Sequence, residues 1–232
     1  MRTRPVFMYH AVAEEPDPMM IQVTPRRLRQ QLTTLRRLGY RGVSMERLLA
    51  ADDAESSLVG LTFDDGYADF AETAAPILDE FGFSATVFVV AGQIGGTNDW
   101  DPPPTRRLMD ASDIRVVQRA GHEVGSHGMS HTAMSKICDE IVDAELKLSK
   151  RMLETITGNS VKGFCYPYGA VSAHVISEVK RHYDYACAVS SPQPTNRWAI
   201  PRFFVGEADG PSRLIAKLGL RRWREHRNRG DL

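Results

Sequence analysis

The chain has 232 residues, 42% of them hydrophobic. That is long for the commonest domain size and ordinary for a single α/β barrel. Lys+Arg and Asp+Glu both number 29, so no net field favours nucleic acid or another polyanion. The cysteines Cys138, Cys165 and Cys187 are odd in number and widely spaced, which excludes a readable disulfide framework or paired-cysteine zinc site.

Met1–Pro5 runs straight into Val6–His10, a buried strand. This apolar run is far too short for a signal-peptide core or a membrane span, so the expectation is a cytoplasmic chain with no transmembrane segment. Thr24-Pro25 reads as an N-cap with proline in the first helical position. Leu28, Leu32, Leu35 and Leu38 follow at helical spacing, and Gly39 supplies the stop. Leu58–Phe63 is a strand, Ala68–Phe81 a helix interrupted or restarted near Pro76, and Ala85–Val90 a further strand. Residues 92–105, with Gly, Asn, Asp and three consecutive prolines, form a long surface loop on which Trp100 is a candidate stacking surface for a ligand. Ser112 is read as the cap of a helix running to Ala120. A strand over His122–Ser126, a long amphipathic helix over Asp139–Ile156 and a strand over Gly163–Tyr166 come next. Strand-like runs at Tyr185–Val189 and Arg202–Val205 precede a last helix starting at Pro211. The basic tail over 220–232 reads as a solvated, fraying end.

Repeated strand–helix units without a repeat or linker predict one domain spanning 1–232. The fold class is α/β, a distorted (β/α)7–8 barrel, with chemistry expected at the C-terminal ends of the strands. The candidate residues fall at those ends. Asp64-Asp65 closes the strand 58–63, with Gly66 behind it. Read blandly, Asp-Gly is a turn signal and Asp65 a helix cap. Read chemically, the strand breaks and both carboxylates enter one site with different jobs. His127 and His131, four apart, would face one side of a helical turn. Two His and one carboxylate are a common catalytic zinc set that leaves a position open for water. That spacing alone is weak, and two unrelated loop histidines would explain it equally well without the aspartates. Pro167-Tyr168-Gly169 is either a turn or a place where a backbone N–H meets a developing oxyanion. His10 is either a satisfied core histidine or a general acid. Cys165 is read as packing, having no partner base nearby in sequence.

Three stretches, "LTFDDGYADF", "HEVGSHGMSH" and "FCYPYG", in this order, resemble the polysaccharide deacetylase family (carbohydrate esterase family 4, the NodB-homology domain). The resemblance runs from about Val6 to Val205, and the three ordered motifs are more specific than any one of them. It implies a distorted (β/α) barrel that removes N- or O-acetyl groups from sugars with a divalent metal, usually zinc, with Ni2+, Co2+ or Fe2+ as alternatives. It further implies Asp64 as catalytic base, Asp65, His127 and His131 as metal ligands, and the Tyr168 N–H in the oxyanion site. Two departures stand out. Many members carry an Arg two residues before the motif proline, where this chain has Cys165; Arg202 is the candidate replacement. Many also end in a Leu-x-His motif that supplies the general acid. Nothing after Arg202 matches it, and Met8-Tyr9-His10 resembles that motif moved to the front, as in some permuted members. The expected substrate is an N-acetylated amino sugar in a polysaccharide or glycoconjugate. Rival readings are a deformylase or amidohydrolase on a lipid- or nucleotide-linked sugar, and a catalytically inactive sugar-binding module. Neither sugar nor oligomeric state is legible.

Overall fold

The computed structural model describes residues 4–14, 19–103, 105–189 and 196–227, with side chains up to 219. Pro104, the last of the three prolines, and the side chains of the basic tail lie outside them. The elements are β1 (Val6–Tyr9), β2 (Ala11–Val12), β3 (Gln22–Val23), α1 (Pro25–Arg37), β4 (Arg41–Val43), α2 (Met45–Ala50) and β5 (Leu58–Phe63). Then come a π-helical turn (Phe70–Ala74), α3 (Ala75–Glu80), β6 (Thr86–Val89), α4 (Ala111–Arg119), β7 (Glu123–Ser126) and α5 (Asp139–Thr157). The chain continues through β8 (Gly163–Cys165), α6 (Ala173–His182), β9 (Tyr185–Ala188), β10 (Ile200–Pro201), β11 (Phe203–Phe204) and α7 (Pro211–Arg227).

The main sheet is parallel, in the order β10-β9-β8-β7-β6-β5-β1-β11, with β4 beside the first half of β5. Residues 200–204 pair with β9 at one end and with β1 at the other. That segment brings the sheet round into a nearly closed, distorted (β/α) barrel. β2 and β3 form a separate two-stranded sheet.

Side chains alternate between two apolar clusters, as a period of two requires. Phe7, Tyr9, Val59, Leu61, Phe63, Val87 and Val89 pack outward with the helices, while Val6, Leu58, Phe88, Cys165, Tyr185 and Cys187 fill the interior. Space for the interior aromatics comes from small neighbours: a Cβ on Gly125 would meet the Phe88 ring at 2.5 Å. The N-terminal end of the barrel is closed by Glu123. Its carboxylate accepts from Thr86 Oγ1 at 2.6 Å, the Glu46 N–H at 2.8 Å and Tyr185 Oη at 2.7 Å.

Leu38 is the exposed C-cap of α1, followed by Gly39 at φ +80° as the expected stop. Two readings of the elements need correction. The cap of α4 is Asp110, whose carboxylate accepts from the N–H groups of Ser112 and Asp113 while Asp113 answers in a capping box. Ser112 is therefore inside the helix. The expected strand 202–205 is shortened to β11, and Arg202 lies between it and the preceding β10. The interruption expected near Pro76 takes the form of the π-helical turn. No helix among the described residues is long and apolar enough to cross a membrane.

Candidate metal and acid-base site

The strand alternation decides which side chains reach the C-terminal mouth of the barrel. Asp64 follows Leu58, Gly60 and Thr62 on the interior parity of β5, and its N–H donates to the Tyr9 carbonyl at 3.0 Å. Asp65 would face the other way on a continuing strand. It instead adopts φ +72°, followed by Gly66 at φ +76°. This left-handed pair turns Asp65 back towards the interior. Gly66 is constrained twice, since a Cβ there would also lie 3.2 Å from the Val89 backbone.

Asp65 Oδ1 lies 3.4 Å from His127 Nε2 and 3.3 Å from His131 Nε2. All three side chains are buried, and the three ligand atoms lie within 4.8 Å of one another. A tetrahedral ion with bonds of about 2.0–2.1 Å holds its donors about 3.3–3.4 Å apart. The donor set and spacing thus fit a divalent cation. His127 Nδ1 is 2.8 Å from the Cys165 carbonyl, an arrangement that leaves Nε2 to face the ion. Asp65 has only the two imidazoles as ionic partners among the described residues. Burial would raise its carboxyl, but these imidazoles hold it well below the ordinary value.

The histidines do not share a helical turn. They flank a loop with Gly128 at φ +83° and His131 at φ +56°. Convergence comes from loop geometry rather than from i,i+4 spacing. Asp65, His131 and Tyr168 (φ +58°) are three of the four non-glycine residues with positive φ among those described. Backbone strain is therefore concentrated at this rim.

Asp64 sits in a different environment. Arg202 Nη1 donates to Oδ1 at 2.6 Å and Nη2 to Oδ2 at 2.7 Å, a bidentate pair with both partners buried. Arg202 also reaches Thr62 Oγ1 at 3.0 Å. Burial alone would raise the Asp64 carboxyl; the charge and hydrogen bonds of Arg202, with His127 and His10, hold it below its ordinary value. Cys165 is more than packing. Its Sγ lies 3.0 Å from Arg202 Nη2 and 3.5 Å from Asp64 Oδ2, and burial pushes its thiol well up. The guanidinium thus arrives from residues 200–204 at the very place where the sequence has a cysteine.

His10 follows β1 on the same parity. It lies near enough for its charge to act on both carboxylates, and its Nδ1 is buried with no partner among the described residues. The Phe204 ring lies 6.0 Å from its ring. Tyr168 is 60% exposed and sets its ring edge-on to His131 at 4.6 Å. Trp100 is half-buried and stacks on His131 at 4.4 Å. One face of Trp100 is therefore occupied by a candidate ligand. The sequence reading missed Glu145 on α5, which grips the loop between the histidines. Its only signal was an acidic residue on the buried face of an amphipathic helix.

Fold and site together define a (β/α) barrel with an Asp-His-His candidate metal centre and a separate, arginine-paired carboxylate at its mouth. The polysaccharide deacetylase profile matches residues 51–186, more than half of the chain, and the chain belongs to that family. A poly-beta-1,6-N-acetyl-D-glucosamine N-deacetylase of Staphylococcus aureus is 24% identical over 158 residues, covering 64% of this chain and 54% of that protein. A chitin deacetylase of Arthroderma benhamiae is 33% identical over 132 residues, covering 53% and 32%. The chain spans less than two thirds of the length of the curated relatives it matches. Among solved structures, the Streptococcus pyogenes deacetylase PplD in complex with acetate superposes with a TM-score of 0.80 at 21% identity, over 93% of this chain and 97% of that one. IcaB from Ammonifex degensii gives 0.74 at 20% identity, over 93% and 97%. At these identities the structures speak for the fold.

Proposed function

We propose that this chain is a metal-dependent hydrolase that removes N-acetyl groups from an amino sugar in a polysaccharide or glycoconjugate. The observation that carries the reading is the separation of the two adjacent aspartates: Asp65 meets both histidines, while Asp64 is paired with Arg202. An inactive binding module has no need for the second carboxylate beside an intact ligand set. The names of the relatives favour an N-acetylated glucosamine substrate.

In this reading Asp65, His127 and His131 hold a divalent ion, zinc in the first instance, which would lower the pKa of a bound water towards about 7 and polarise the acyl oxygen. Every other step belongs to the chain. Arg202 fixes the Asp64 carboxylate and keeps it ionised, ready to take the proton of the attacking water. The Tyr168 N–H donates to the oxyanion that develops on the acyl carbon's oxygen. His10 protonates the leaving amine, and acetate departs. Supplying N-acetylglucosamine oligomers to zinc- or cobalt-loaded protein should release acetate, and a chelator should stop it. Formate from N-formyl sugars, with no acetate from the acetylated panel, would overturn the acetyl assignment.

A further inference from the structure

We propose that Glu145 is a positioning residue for the candidate metal ligands: its carboxylate fixes the loop between His127 and His131, and the affinity for a divalent ion depends on it. This rests on reading Asp65, His127 and His131 as a metal site. Glu145 lies on α5, is 8% exposed, and makes no ion pair with Lys or Arg among the described residues. Its Oε2 accepts from the Met129 N–H at 2.6 Å and the Ser130 N–H at 3.2 Å, and its Oε1 from Ser130 Oγ at 2.5 Å. The Gly128 N–H donates to Ser126 Oγ at 3.2 Å, and Ser126 Oγ in turn meets Ser149 of α5 at 2.9 Å. From the opposite side, the carbonyls of Gly128 and Met129 accept from Ala91 and Gly92 at 2.8 and 2.9 Å.

Every N–H between the two histidines is thus held by a side chain, and two of the three by one carboxylate. The geometry makes this matter for His131 in particular. His127 is anchored through Nδ1 to the Cys165 carbonyl. His131 Nδ1 has no partner among the described residues, and its backbone is left-handed. Its imidazole is aimed by the Asp65 carboxylate 3.3 Å from Nε2, by the loop backbone, and by the rings of His127, Trp100 and Tyr168. A carboxylate gives charge-assisted bonds stronger than a neutral acceptor provides. Groups that orient metal ligands typically govern affinity by 10- to 100-fold.

The test is cobalt binding, read from the visible absorption of the ion against a competing chelator, in wild type, Glu145→Gln and Glu145→Ala. The melting temperature of each metal-free protein is measured alongside. Glu145→Ala should bind cobalt about 10- to 100-fold more weakly, and Glu145→Gln, which keeps shape and one acceptor, several-fold more weakly. Glu145→Asp should bind more tightly than Glu145→Ala. Wild-type affinity in both the Gln and Ala variants, whatever their melting temperatures, would reduce Glu145 to a helix-docking residue and overturn the proposal. Should the alanine variant fail to fold, the glutamine variant alone decides. A wild-type chain that binds no cobalt would instead sink the metal reading, and this proposal with it.

Discussion

At the scale of residues, Arg202 and Asp64 form a buried, bidentate pair, and such a pair is costly to break from one side. Arg202→Leu leaves an unpaired carboxylate beside Cys165 and should lose about 3–5 kcal/mol in chemical denaturation. Removal of both charges in Arg202→Leu with Asp64→Asn should recover part of that loss. His10 makes no hydrogen bond to Asp64, Asp65 or Arg202 among the described residues, so His10→Ala should keep metal affinity while acetate release falls by about 10²- to 10⁴-fold; unchanged turnover would remove it as the acid. Asp64, Asp65 and His127 were legible in the sequence because strand ends and adjacent glycines mark them, and His131 by its four-residue spacing from His127. Arg202 was legible only as a substitute for a residue that is missing, since its partner lies 138 positions away. Glu145 left only a weak signal, an acidic residue on the apolar face of α5. Its role depends on the loop conformation, and Glu on a helix of mixed charge looks like a solvated face.

At the scale of elements, apolar periodicity recovered the long strands and most helices of the barrel but missed α2, α6 and the short strands β2, β3, β4 and β10; the remaining errors came from local chemistry. Ser112 was read as the cap of α4, but the reciprocal bond from Asp113 makes Asp110 the cap. The histidine pair was expected on a helical turn, but Gly128 and His131 take left-handed conformations that no spacing rule reveals. The π-helical turn offers a pH test. Asp69 at its start has a carboxyl pushed up to about 6 by burial, against opposing contributions from the Val12 N–H and Arg106. Its Oδ1 is buried with no partner among the described residues. Because the folded value exceeds the ordinary 3.8, the folded state holds this proton more tightly. The associated stability is fully present below about pH 4 and is lost as pH rises through about 6. Asp69→Asn should flatten that part of the stability–pH curve and stabilise the protein at pH 7 by up to about 3 kcal/mol. An unaltered curve in urea denaturation across pH 4–7 would contradict it.

At the scale of the whole molecule, the barrel collects side chains from β1, β5, β7, β8 and the 200–204 segment at one mouth. Its closure through that segment is what delivers Arg202 to Asp64. The central claim is a division of labour between neighbours: Asp65 holds a metal ion and Asp64 does not. An ion that binds only the folded state stabilises it by about 2.7 kcal/mol at one hundred times its dissociation constant. The most direct measurement is therefore the zinc-induced rise in melting temperature of wild type, Asp64→Asn and Asp65→Ala. The account predicts a rise in wild type, a comparable rise in Asp64→Asn, and none in Asp65→Ala. A wild-type rise in Asp65→Ala, or its loss in Asp64→Asn, would contradict it.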